Sequence, residues 1–337
     1  MNKLEHNNGT FVPLIDRLSA CSSVYDNPTS AVPEVAEALE KGIEYHQMRE
    51  FEKAVPFFEQ AVIGYGKLGD RTGEGHALVG LGSALYALGQ YDDVIDVSKK
   101  GILVAREIRD RSIEKKVLDN LGNTYRHLRN YQKALEYQQQ SVDIAHELGD
   151  LKSEAITLSN IGMVYKAMGN CQKAIAYYEK GLALCRAIQD GYVEGQILRN
   201  LGNAYHSQGA YTKTIECYER LLSIVRERED RRSEVHILKN LGSAYYTMEN
   251  YAKAIELHQQ RLDVAKKIND CRNQVQALES LGIIYDTIGD YPKALSYHEQ
   301  QLKIAQQENN ARLVKKIQEN LRNICFTIGD YTKASQY

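Results

Sequence analysis

The sequence has 337 residues, of which 43% are hydrophobic and 26% are charged, with 42 Lys and Arg against 44 Asp and Glu. This balance lacks the basic excess that supports sequence-independent binding to nucleic acid or anionic lipid, so we expect neither as a partner. No run approaches the roughly 18 apolar residues of a membrane-spanning helix, and the first ten residues do not have the order of a secretory signal. We therefore expect a cytoplasmic protein.

The first 33 residues contain three prolines and no repeated pattern. Their polar start favours a flexible N-terminal arm over residues 1–33. The alternative is a short helix from Leu14 to Leu18 that packs on the first repeat.

From residue 34 onward the sequence repeats every 40 residues. A Leu-Gly pair marks most copies, with Ile161-Gly162 at the same place in one of them, and a tyrosine follows ten residues after the Leu in most. The pairs lie at 81–82, 121–122, 201–202, 241–242 and 281–282. The spacing predicts seven units over residues 34–314.

Each unit has helical spacing of its apolar residues in two segments separated by a break. Residues 198, 201, 202 and 205 fall at i, i+3, i+4 and i+7, and the pattern resumes at 215, 218, 222 and 225. Each unit is therefore predicted to be two helices, and the chain to be all-α.

The breaks carry residues typical of helix ends. Gly lies in the break inside most units, before an Asn or Asp, and Asp or Asn precedes each following unit. Gly suits the left-handed conformation that ends a helix, while Asn and Asp suit the N-cap. We expect Asp and Asn N-caps at 70, 110, 150, 190, 230, 270 and 310.

The recurring Gly inside the first helix of each unit costs helix stability, so it requires a compensating reason. We expect a partner helix to cross there too closely for a side chain. The small residue that recurs on the second helix, most often Ala, is the predicted contact.

Residues 315–337 begin a further unit without completing it. Arg322 replaces the packing Gly, Gln318 replaces the packing Leu, and charged residues surround them. Because the last unit of a solenoid needs a polar outer face, we predict a capping helix and a partial hairpin here. Self-association through an open C-terminal end is the alternative.

The series Leu198, Leu201, Gly202, Tyr205, Gly209 and Tyr211 resembles the tetratricopeptide (TPR) repeat, whose usual period is about 34 residues. The longer unit, with Leu in place of Trp, is similar to the TPRs of LGN/Pins-type polarity adaptors and bacterial TPR arrays. The resemblance implies a right-handed superhelical solenoid of antiparallel helix pairs. It also implies a concave surface lined mainly by the first helices.

The sequence contains no catalytic motif, so we expect no enzyme, and we expect no cofactor or metal site. The six cysteines have no ligand or disulfide spacing, and most occupy apolar positions of the repeat. The histidines are scattered, and His258 and His298 share a repeat position that we interpret as structural. We interpret the many helical carboxylates as solvated faces.

Function is predicted from residues that face away from the packed Leu-Gly positions. An Asn recurs before the Leu-Gly pair, and an amide can pair with the backbone of an extended peptide. Each Asn could instead hold a neighbouring helix. The candidate partner-binding residues are Asn120, Asn123, Arg126, Asn160, Lys166, Arg199, Asn200, Asn203, His206, Lys239 and Asn240.

Four of these residues are cations and predict an acidic partner. Acidic residues at Asp119, Glu279 and Asp286 would flank them. We expect a scaffold or adaptor that binds an extended, acidic peptide in its concave groove. A carboxylate clamp of the cochaperone type is matched only in part. The alternative function is a TPR sensor or oligomerisation module of a bacterial regulatory system acting on a separate or downstream effector.

Overall fold

The computed structural model describes residues 28–337, which form α-helices and no strands. The chain divides into two compact units, Met1–Ile188 and Gln189–Tyr337. Unit 1 contains α1 (Pro28–Gln47), α2 (Phe51–Leu68), α3 (Arg71–Ala87), α4 (Tyr91–Glu107), α5 (Arg111–His127), α6 (Tyr131–Glu147), α7 (Leu151–Ala167) and α8 (Cys171–Ala187). Unit 2 contains α9 (Gly191–Ser207), α10 (Tyr211–Glu227), α11 (Arg231–Thr247), α12 (Tyr251–Lys267), α13 (Cys271–Thr287), α14 (Tyr291–Gln307), α15 (Ala311–Thr327) and α16 (Tyr331–Ala334).

Helices pair in sequence order within each unit, which confirms the all-α repeat fold. Odd-numbered helices are the first helices of the pairs, and even-numbered helices are the second. Each first helix packs against its own second helix, and within a unit each second helix packs against the following first helix. First helices of neighbouring pairs also meet, as α3 meets α5 in unit 1 and α11 meets α13 in unit 2.

The cores lie between the helices of each unit. In unit 1 a cluster that includes Phe58, Leu81 and Val97 joins the first two pairs. In unit 2 a cluster that includes Leu278, Leu321 and Cys325 joins the last helices. Most of the recurring apolar positions of the sequence are therefore core positions, because their helical spacing places them on the packed face.

The predicted N-caps are confirmed. Asp70 accepts a hydrogen bond from the backbone N–H of Gly73, and the same bond recurs at Asp110, Asp150, Asp190, Asp230, Asp270 and Asn310. Such caps satisfy backbone N–H groups that the first turn of a helix leaves free. The second helices with Asn or Asp before them are capped in the same way.

The loops between helices contain a residue in the left-handed conformation even where the sequence has no Gly. The φ angle lies between 73° and 80° at Gly89, Gly169, Gly209, Gly289 and Gly329. The same loop position also holds residues with side chains, which include Arg129 (φ 58°) and Glu249 (φ 59°). The loop geometry is therefore imposed by the packed helices even where no Gly favours it.

The recurring Gly of the first helix does lie against the second helix, but its contact differs from the prediction. A Cβ atom added at Gly202 would lie 3.1 Å from the ring of Tyr218, and one added at Gly242 would lie 2.6 Å from His258. These partners come four residues after the small residue that we had expected. The Ala at that position is itself buried, but a larger side chain fills the space above the Gly.

The first and last helices of the described chain bear on the predicted domain boundaries. α1 begins at Pro28, so it includes the last residues of the segment assigned to the arm; the rest of that segment, residues 1–27, lies outside the described residues. At the other end, Lys315, Glu319 and Arg322 of α15 are exposed, and α16 is a single short turn. The exposed charges are compatible with the predicted cap.

Four glutamates near the start of first helices are buried, which corrects their interpretation as solvated residues. Glu234 is 2% exposed, and its carboxylate contacts Arg226 at 2.7 Å and Arg231 at 2.9 Å. Glu74, Glu114 and Glu194 are buried beside Arg or Lys in the same way. We call these contacts the glutamate junctions. Burial raises the pKa of Glu234, but the hydrogen bonds from the two arginines prevail and lower it.

Candidate partner-binding surface

The predicted partner-binding residues all lie on first helices, on α5 and α7 in unit 1 and on α9 and α11 in unit 2. Arg199, His206 and Lys239 are exposed, and the other eight are half-buried. The helical spacing places them on the side of each first helix opposite its deepest packing. We call these residues the inner stripe of their unit.

In unit 1, Asn120 is used inside the fold. Its amide Nδ2 donates to the backbone carbonyl of Val79 on α3 at 3.4 Å. This contact supports the alternative that an Asn before the Leu-Gly position holds a neighbouring first helix. The side-chain amides of Asn123 and Asn160 form no hydrogen bond with another residue of the described chain, so they are available on the surface.

Arg126 lies beside aromatic side chains. Its guanidinium donates to the hydroxyl of Tyr86 at 3.5 Å, and its Nε is buried with no hydrogen-bond partner. The neighbouring His127 ring lies 5.4 Å from the rings of Tyr86 and Tyr91. Burial raises the pKa of Tyr178 to about 12, and the positive charge of Arg126 opposes that rise. The orientation of the Arg126 side chain is therefore set by its neighbours.

Asp119 does not flank a groove. Its Oδ1 accepts hydrogen bonds from Ser141 at 2.7 Å and from Thr157 at 3.2 Å, and its Oδ2 lies 3.3 Å from Lys115. Burial raises the pKa of the Asp119 carboxyl, although Lys115, Ser141 and Thr157 act to lower it. The residue joins α5, α6 and α7, so the expectation that it is an acidic surface residue is wrong.

In unit 2, three of the predicted residues converge on one buried hydroxyl. Tyr218 of α10 is 1% exposed, and its hydroxyl donates to Oδ1 of Asn203 at 2.6 Å. Asn240 of α11 and the charge of Arg199 both act to lower the pKa of the same hydroxyl. We call Arg199, Asn203, Tyr218 and Asn240 the Tyr218 cluster.

Tyr218 was not predicted as a site residue, because its spacing is that of a core position. Burial raises its pKa to about 12, while Asn240 and Arg199 act to lower it. The only signal in the sequence was the residue type, since a buried tyrosine needs a partner for its hydroxyl. Asn203, on the first helix of the same pair, supplies that partner.

Like several other exposed cations, which include Lys266 and Lys303, the four predicted cations are unpaired among the described residues, and they differ in this from the arginines of the glutamate junctions. Across residues 28–337, Arg126, Lys166, Arg199 and Lys239 form no ion pair with a carboxylate. Arg106, Arg111, Arg220, Arg226 and Arg231, by contrast, are each paired with a glutamate. On the acidic side, Glu279 pairs with Lys316 at 2.7 Å, while Asp286 is exposed.

His258 and His298 are both 2% exposed, and each ring lies against the Gly of its own pair. Burial, together with the charges of Arg261 and Lys239, lowers the pKa of His258 to about 4. Among the described residues no group of three or more His, Cys, Asp or Glu side chains could hold a metal ion. Nor is any helix of that part of the chain long and apolar enough to cross a membrane.

Comparison with protein families fits this architecture. Models described as tetratricopeptide repeat match residues 116–187, 194–267 and 277–312, which together exceed half of the chain. The chain belongs to the tetratricopeptide repeat family. Tetratricopeptide repeats are protein–protein interaction scaffolds. Comparison with the curated proteins found no match.

Solved structures show the same fold at low identity. A STAND protein (signal transduction ATPase with numerous domains) with a tetratricopeptide repeat sensor, from Pyrococcus horikoshii, is 18% identical with a TM-score of 0.67. The match covers 92% of this chain but only 46% of that one, so this chain spans about half of its length.

Two further structures are similar over most of their own length. BtubC (BKLC) from P. vanneervenii is 18% identical, with a TM-score of 0.54 over 71% of this chain and 92% of that chain. Aspartyl phosphate phosphatase F from Bacillus subtilis is 14% identical, with a TM-score of 0.55 over 92% and 87%. At these identities the likeness concerns the fold alone.

Proposed function

We propose that the protein is a non-enzymatic scaffold that binds an extended, acidic peptide segment of a partner along its inner stripes. The observation that carries the proposal is that Arg126, Lys166, Arg199 and Lys239, which form no ion pair within residues 28–337, lie in the inner stripes together with half-buried amides. At the glutamate junctions the same chain neutralises its arginines with buried carboxylates.

The pairing contrast favours an acidic ligand for an electrostatic reason. A cation left without a carboxylate attracts an anionic ligand and speeds its encounter with the surface. Half-buried amides at Asn123 and Asn203 add hydrogen-bonding groups beside the cations. An extended segment could use both kinds of group, because its backbone and its acidic side chains are accessible together.

The test uses an array of synthetic peptides of equal length with acidic, neutral or basic composition. We expect the full chain to retain acidic peptides and to lose them as the salt concentration rises, because exposed charges are screened. The variant Arg199→Glu with Lys239→Glu should stay folded and lose these peptides.

The matched control is Lys266→Glu with Lys303→Glu, which reverses two exposed cations on second helices of the same unit. It changes the net charge by the same amount without touching the inner stripe. The control should bind as the unmodified protein does. Equal binding by both double variants would contradict the assignment of the partner to the inner stripe.

A further inference from the structure

Arg261 of α12 is a buried cation in the core of unit 2. The residue is 0% exposed, and its Nη2 donates to Oδ1 of Asn273 at 2.7 Å and to Oε1 of Gln276 at 2.8 Å, both on α13. Both acceptors are neutral amides, and within residues 28–337 the guanidinium forms no ion pair with a carboxylate. Burial lowers the pKa of Arg261 to about 10, because the charged form is poorly solvated there. A charge buried in this way calls for a negative charge beside it.

The carboxylate of Asp270 acts on Arg261 only from beyond an intervening amide. Asp270 accepts a hydrogen bond at 2.7 Å from Nδ2 of Asn273, and it is the carbonyl oxygen of the same amide that Arg261 contacts. The charge of Asp270 opposes the fall in the pKa of Arg261 but does not prevent it. The charge of Arg261 is therefore compensated only in part, and from a distance.

Two buried nitrogens of α12 have no hydrogen-bond partner, Nε of Arg261 and Nδ1 of His258. The two residues are three positions apart, which places them on one face of the helix. His258 is 2% exposed, so neither side chain can turn out to bulk water without leaving the core. The Nε–H of an arginine is always a donor, so at least one of the two nitrogens needs an acceptor.

The equivalent positions of α14 show how the same repeat satisfies its histidine. There Nδ1 of His298 donates to Oε1 of Gln301 at 3.1 Å, so the imidazole N–H has an acceptor on its own helix. In α12 the position of Gln301 is held by Arg261, whose guanidinium has only donors. With the tautomer that His298 uses, His258 adds a second donor to that of Arg261, and no acceptor of the described chain meets either of them.

We propose that Nδ1 of His258 and Nε of Arg261 bind a small monovalent anion of the size of chloride inside unit 2. An anion accepts hydrogen bonds from both donors and supplies the negative charge that Arg261 lacks. Lys239 of α11 adds to the positive potential, since its charge also acts on His258. The burial of both side chains selects a small ion. This inference goes beyond the proposed function, because the site lies in the core and needs no peptide.

A buried water molecule is the competing occupant. It can accept the same two hydrogen bonds, but it leaves the charge of Arg261 without a counterion. The two occupants differ in one measurable respect, which is that only the anion makes the stability of the protein depend on the kind of salt at constant ionic strength.

The test measures the Tm of the full chain as sodium chloride replaces sodium gluconate at constant ionic strength. Gluconate is too large for the site and keeps the screening of surface charges unchanged. We expect the Tm to rise by about 2 °C and then to level off as the site fills, because an anion that binds only the folded protein stabilises it.

Arg261→Gln gives α12 the His and Gln combination that α14 already carries, so we expect it to fold and its Tm to be insensitive to chloride. The matched control is Lys266→Gln, which removes one positive charge from an exposed position of the same helix. The control should keep the full response to chloride.

Chlorine-35 NMR of the unmodified protein measures binding directly and does not depend on the folding of a variant. We expect the chloride signal to broaden with the protein and to narrow again when bromide competes for the site. Lys266→Gln should broaden the signal equally, and Arg261→Gln should broaden it much less.

Three results would overturn the inference. One is a Tm of the unmodified protein that does not distinguish chloride from gluconate, which would assign the two nitrogens to water. Another is an equal response to chloride in the unmodified protein and in Arg261→Gln. The third is a chloride signal that bromide does not narrow. None of these results bears on peptide binding at the inner stripe, so the proposed function is tested separately.

Discussion

Unit 2 places its cations in two contrasting settings. At the junction between α10 and α11, Arg226 and Arg231 share the buried carboxylate of Glu234. On the inner stripe, Arg199 and Lys239 form no ion pair with a carboxylate in the described chain. The two settings lie on neighbouring helices and use similar residues. The contrast teaches that residue type alone does not tell whether a cation is paired inside the fold.

The largest expected effect comes from Glu234→Gln. The substitution removes the charge from the buried acceptor of two hydrogen bonds, whose arginine donors are nearly half exposed, so we expect the free energy of unfolding to fall by about 2–3 kcal/mol. Chemical denaturation measures the loss. The matched comparison is Arg199→Gln with Lys239→Gln, which should change stability by no more than about 0.5 kcal/mol. A similar loss in both proteins would contradict the contrast.

The contribution of Glu234 also depends on pH in a defined direction. Its pKa is lowered in the folded protein, so its stabilisation is complete above the ordinary glutamate pKa and is lost as the pH falls through the folded value. The stability difference between the unmodified protein and Glu234→Gln should therefore shrink under acid conditions. A difference that grows with acidity would show that the carboxylate is not stabilised by its arginines.

A smaller effect is expected from Gly202→Leu, which tests the packing beneath the inner stripe. The new side chain would meet the ring of Tyr218, and a Cβ alone would lie 3.4 Å from Cys217. We expect a loss of about 2 kcal/mol from overpacking, measured by the same denaturation method. Because Tyr218 must move, peptide binding should weaken as well. A stable variant that still binds would refute the close approach.

The smallest effect is a gain in stability at Glu229→Gly, in the loop that leads into α11. Glu229 has a φ of 54°, a conformation that costs a residue with a Cβ atom about 1 kcal/mol or more. Relief of this cost, less the extra entropy of Gly in the unfolded chain, should raise stability by about 0.5 kcal/mol. Glu229→Ala retains the Cβ atom and should bring no such gain, and a gain from Ala would exclude the conformational explanation.

The repeat period, the helix pairs and the caps could be predicted because they depend on local spacing and on short side chains such as Asp70 that bond to their own helix. The contacts of the predicted site residues could not be predicted in the same way. Asn120 and Asn240 share a repeat position, yet the amide of Asn120 donates to the backbone carbonyl of Val79, while Asn240 acts to lower the pKa of Tyr218. Nothing in the local sequence separates these outcomes.

The sequence by itself determined the pairing of helices in the repeats, the caps at which most of them begin, and which of their faces are apolar. Only the tertiary structure decided which polar groups are used inside the fold. Glu234 and Asp119 look like surface residues along the chain, but each bonds to a residue of a neighbouring helix, Glu234 to Arg226 and Asp119 to Ser141 and Thr157. Burial and pairing depend on contacts between helices, and helical periodicity alone carries no information about those contacts.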